Sequence, residues 1–95
     1  KDKQMFLPNA FTPNGDGLND IFRPKIVGYS YVSSFQVFNR WGELVFVSTN
    51  NNYSGWDGTY RGKNSDVGVY FWRLVCLDPL TNERVEAKGD VTLLR

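Results

Sequence analysis

The sequence predicts an all-β fold, and three observations lead there. No window of the 95 residues keeps apolar positions at i, i+3, i+4 and i+7 for three turns. Short runs of alternating apolar and polar residues recur instead, each bounded by Gly, Pro, Asn or Asp. Those runs are rich in β-branched and aromatic residues, which suit a pleated, half-buried surface.

The elements follow in chain order. Residues 5–7 and 20–23 read as short strands, each ended by a proline, Pro8 and Pro24, that cannot donate to a ladder. Over residues 34–41, Phe35, Val37, Asn39 and Trp41 share one face; Ser34, Gln36, Phe38 and Arg40 share the other. Gly42-Glu43 turns the chain into Leu44, Val45, Phe46 and Val47, which makes a hairpin. Residues 48–68 form a long polar loop with three adjacent Asn, and Tyr53, Trp56 and Tyr60 are placed to plug it onto a core.

Residues 69–77 read as the strongest strand. Tyr70, Trp72, Leu74 and Cys76 are expected inside, with Phe71, Arg73 and Val75 on the wetter face. A proline-containing turn at residues 78–82 leads to a last strand over 84–95, antiparallel to its predecessor. There Val85, Ala87, Val91 and Leu93 point in, Glu86, Lys88, Asp90 and Thr92 point out, and Gly89 marks a bulge or bend. About seven short strands favour an immunoglobulin-like antiparallel β-sandwich in a single domain spanning 1–95, with its core over 6–95. The Cys–Trp–Cys signature of antibody domains is missing, so the architecture alone is meant.

Composition narrows the function classes. Eleven basic and ten acidic residues are scattered along the chain, with no basic run to track phosphates, so nucleic acid is not an expected partner. No apolar stretch approaches the length of a transmembrane segment. There is no His, and the single Cys76 lies in an apolar run where nothing would activate it. No nucleophile–base or zinc spacing exists, so an enzyme is not expected.

Three features could carry binding. The loop "PNAFTPNGDGLNDIF" gathers Asn14, Asp16, Asn19 and Asp20 around two glycines, a donor set and backbone curl that calcium can use. The competing reading is a set of Asx-turns that satisfy the loop's own amides. Trp56 in "WDG" is either a sugar-stacking platform or an indole anchor for the long loop, and Asp57 would add a carboxylate to the calcium site if the two loops met. Phe38, Val45 and Phe71 would make an apolar outer patch if they lie side by side, unless residues 48–68 cover them.

Taken in order, "PNAFTPNGDGLNDIF", "FNRWGELVF", "WDG", "GVYFW" and "GDVTLLR" resemble the gliding-motility-associated C-terminal domain, the type B sorting domain of the type IX secretion system of Bacteroidetes. The resemblance runs from about Phe6 to Arg95. It implies a C-terminal signal that directs a large surface or secreted passenger, such as an adhesin used in gliding. The passenger would cross the periplasm and then leave through the type IX machinery. A PorP/SprF-type outer-membrane β-barrel protein is the implied partner. The residues expected to meet it are Phe38 and Phe71 on the sheet, and Val91, Thr92, Leu93, Leu94 and Arg95 as a terminal strand that adds to a partner's sheet edge. The alternatives are an immunoglobulin-like spacer and a carbohydrate-binding adhesin domain.

Overall fold

A computed structural model describes residues 4–15, 20–29, 31–49, 55–78 and 80–95. Among them are nine strands and no helix: β1 Gln4–Phe6, β2 Ala10–Phe11, β3 Lys25–Val27, β4 Tyr31–Phe38, β5 Leu44–Thr49, β6 Thr59–Tyr60, β7 Lys63–Asn64, β8 Gly68–Leu77 and β9 Arg84–Leu93. The main sheet has the order β2-β9-β8-β4-β5. Its pairs are antiparallel except β2–β9, which is parallel. The sheet is therefore mixed, where the sequence suggested purely antiparallel pairing.

Alternation does what the sequence predicts along the long strands. Phe35, Val37, Tyr70, Leu74, Cys76, Val91 and Leu93 are all buried on one face. Against that face lies a second layer made of the antiparallel pair β1–β3 and a lone bridge between Phe22 and Trp56. Residues 20–23 thus supply one bridging residue rather than a strand, and Pro24 precedes a strand, β3, as well as ending the preceding stretch.

The interior is an aromatic chain. Phe11 lies 5.7 Å from Phe22 and 5.5 Å from Trp56, Phe22 lies 5.6 Å from Phe35, and Trp56 lies 4.9 Å from Tyr70. These separations fall in the range where ring pairs add to simple burial. The buried polar tips are satisfied: Trp56 Nε1 donates to the Thr59 carbonyl at 2.8 Å, and the Tyr70 hydroxyl to the Asp66 carbonyl at 2.7 Å.

Three local expectations are corrected. Trp41 is 74% exposed, because β4 ends at Phe38 and residues 39–43 form the hairpin turn. Asn39 organises that turn: its Oδ1 accepts from the amides of Trp41 and Glu43. Val75, on the outer face, is 2% exposed rather than wet; its register partners Ser34 and Glu86 flank it, and a bridge of Gln36, Arg73 and Glu86 side chains lies beside it.

Gly89 sits in an unbroken β8–β9 register with no bulge. A Cβ there would stand 2.6 Å from Trp72 Cζ2. Glycine is needed because the indole of its cross-strand partner lies over it, and Trp72 Nε1 donates to the Asp90 carbonyl beyond.

Two outcomes test this core. Trp56→Ala should lower the unfolding free energy by about 3–5 kcal/mol, seen as a fall in the urea midpoint at constant slope; an unmoved midpoint would remove Trp56 from the core. Burial pushes the Cys76 thiol up to about 11, so iodoacetamide near neutral pH should label it only after denaturant is added. Rapid labelling of the native chain would contradict that burial.

Candidate functional site

The loop after β2 is closed from its far end. Asp20 Oδ1 accepts the backbone amides of Asn14 at 3.1 Å and Gly15 at 3.0 Å, and Gly15 takes a φ of 80° that the curl requires. This is the amide-satisfying geometry that the loop composition allows. Asp16 and Asn19, the other half of the expected calcium set, lie outside the described residues. Asp57 turns to its own strand start, where its Oδ1 accepts the amide and hydroxyl of Thr59.

Trp56 is 1% exposed, so no sugar ring can stack on it. The indole anchors residues 55–60 to the core, and the sugar-platform reading is overturned by that burial. Tyr60 stays exposed, with the Arg61 guanidinium over its ring. Tyr53 lies outside the described residues.

The C-terminal strand departs most from the sequence reading. Over Thr92–Leu93, β9 is paired on both sides, with β8 antiparallel and β2 parallel. Thr92 N donates to the Asn9 carbonyl and Leu94 N to the Phe11 carbonyl. Val91 and Leu93 are fully buried. Arg95 closes the end: its Nη2 donates to the carbonyls of Gly58 at 2.9 Å and Ser65 at 3.0 Å. The expected docking mode, addition of residues 91–95 to a partner sheet, finds its hydrogen-bonding edge already used by β2. Two-residue β2 carries too little pattern to be read from sequence, which is why the edge looked free.

The outer face of the main sheet is the surface that remains. Phe38 and Phe71 are direct cross-strand partners, as the alternation suggests. Leu44, not Val45, completes the row, because a register shift after Val37 sets Leu44 opposite Phe38 and leaves Val45 packed toward the core. Val47 lies one row along, and Val69 adjoins on β8. Leu44, Val47, Val69 and Phe71 are each between 41% and 46% exposed, so the described part of residues 48–68 leaves this face open. Phe71, Arg73, Lys88 and Asp90 also line a shallow depression beside it.

The same face carries an ion pair. Arg73 Nε donates to Glu86 Oε2, and Arg73 Nη1 reaches Gln36 Oε1 at 3.3 Å, which ties β4, β8 and β9 together. The hydrogen bond from Arg73 holds the Glu86 carboxyl below its ordinary range. Among the described residues, no cluster of three acidic or thiol groups is placed to hold a metal ion.

Among known families, the chain matches the CHU_C type IX secretion signal domain over residues 5–93. Among curated proteins and solved structures nothing matches.

The lowered Glu86 carboxyl sets a pH dependence. The pair stabilises the fold while Glu86 is ionised, and that contribution fades as pH falls through the depressed folded value. Relative to Glu86→Gln, the natural chain should be the more stable at neutral pH and lose that lead as acid protonates Glu86 through its lowered folded value. Thermal melts of both chains against pH measure it; parallel curves would mean that the pair has no effect.

Proposed function

The chain belongs to the type IX secretion signal domain family, and from that premise we propose that the folded domain, rather than a linear tail, is read by an outer-membrane partner of the PorP/SprF type. A secretion signal domain directs export toward the cell surface or the extracellular space. The finer route runs through the periplasm, where the domain folds and meets the membrane-embedded partner from the inner side.

One observation supports this mode above the others. Phe38 and Phe71 stand side by side on an open sheet face, extended by Leu44, Val47 and Val69. Apolar patches of this kind on small soluble domains mark interaction sites. Aromatic side chains at such a centre supply most of the energy of a docking surface. The C-terminal residues serve the same end indirectly. Leu93 and Arg95 hold β9, β2 and the turn at Gly58 in place, and so keep the face rigid.

The test fuses the chain to the end of a secreted reporter in a bacterium with an intact type IX machinery and in one without it. Export should occur only in the first. Phe71→Asp, at a half-exposed site, should keep the thermal melt and reduce export about tenfold or more. Unchanged export by that variant would show that the face is not read, and export without the machinery would exclude a sorting role.

A further inference from the structure

Among the described strands, none pairs with β9 on the side away from β8 between Arg84 and Val91. Of these strands β9 contacts only β8 and β2, and β2 pairs with it only at Thr92 and Leu93. The amides of Thr92 and Leu94 point toward β2. By strand alternation, the N–H and C=O groups of Arg84, Glu86, Lys88 and Asp90 point the same way, past the end of β2; of these the Asp90 carbonyl already accepts Trp72 Nε1 at 3.3 Å and keeps one lone pair for a further donor. Their side chains are all exposed on the outer face.

Natural edges of this kind are usually protected by charged side chains, above all Lys, by bulges or by proline. Here the signs alternate: Arg84, Glu86, Lys88, Asp90. That order is self-complementary about Ala87. An antiparallel copy in register there sets Arg84 opposite Asp90 and Glu86 opposite Lys88, and each pair occurs twice. The backbone agrees. The four charged residues carry the outward-pointing groups, so they fall in hydrogen-bonded pairs, while Ala87 meets Ala87 in the closer, non-hydrogen-bonded pair that suits a small side chain. Shifting the register by two residues in either direction brings like charges face to face, which is unfavourable.

We infer that two copies of this chain associate through β9, antiparallel and centred on Ala87, into one continuous sheet. The occupant of the edge is a second copy because the charge order fits its own reverse. A strand of another protein would need the same alternation.

Sedimentation of the chain over a concentration series, at low and high salt, tests the pairing, with folding of each variant checked by its melt. The natural chain should dimerise, more weakly at high salt. Glu86→Lys alone faces Lys88 of the second copy, and Lys88→Glu alone faces Glu86. Each should weaken self-association about tenfold. Mixing the two variants restores both opposite-charge pairs and should recover the dimer as a heterodimer. A natural chain that stays monomeric at its solubility limit overturns the inference. So does a dimer indifferent to either substitution, or a mixture that stays monomeric. The readout is independent of export, so failure here leaves the sorting role intact.

Discussion

Two backbone hydrogen bonds hold the Phe22–Trp56 bridge of the second layer in place. Phe22 N donates to the Trp56 carbonyl at 2.8 Å, and Trp56 N donates back to Phe22 at 2.9 Å. Around that rung, Gly55 takes a φ of 75°, and a Cβ there would stand 2.6 Å from Ile21 and 2.9 Å from the Phe22 carbonyl. Only glycine lets the two segments approach so closely. The rung delivers Phe22 and Trp56, both essentially unexposed, onto the inner face of the sheet. Without them, Phe11, Phe35 and Tyr70 would lose the ring contacts that exclude water from that face. A chain of this length buries only part of its surface, so few substitutes are at hand.

The same segment then organises the C-terminal end. Directly after Trp56, the carbonyl of Gly58 accepts both Ser65 N and the Arg95 guanidinium. Gly58 also packs against Pro13 and Leu93. The opening loop, the tryptophan turn and the last residue therefore meet at one place. Leu93 and Arg95 are thereby tied to the fold. Loss of Leu93 would open the core, so the shape of the domain depends on residues at the edge of β9.

The sequence made the long strands legible and the short ones invisible. Period-two alternation over residues 34–38 of β4, past the bulge that brings Val32 to the same face as Phe35, and over the 10 residues of β9 decides which side chains are buried there. A two-residue strand such as β2, β6 or β7 has no period to read; it exists because tertiary packing brings its backbone beside a partner. The parallel β2–β9 pair was hidden for that reason, and with it the protected state of residues 92–94. Trp56 was legible as an anchor, since an indole in a polar loop is most cheaply placed inside. Gly89 was legible as special but not as to why, because the cause, the ring of Trp72, lies 17 residues away across the ladder. The outer patch was half legible: the alternation paired Phe38 with Phe71, while the bulge that exchanges Val45 for Leu44 leaves no mark in composition.

The open face and the open edge belong to the same sheet, and their geometry links them. Antiparallel pairing about Ala87 relates the two copies by a two-fold axis perpendicular to the sheet, so alternate side chains of both copies emerge on one side. The Phe38–Phe71 patches of both copies then face the same way. The row Leu44, Phe38, Phe71, Asp90 of one copy continues into Arg84 of the other. If the proposed partner lies in a membrane plane, such a pair would meet it with two faces at once. Engaging the first raises the effective concentration of the second, so modest affinity per patch suffices for retention. A single patch of this size, half-exposed and shallow, favours weak docking that can be released. Doubling it by the inferred strand pairing would lengthen the encounter without making either contact tighter.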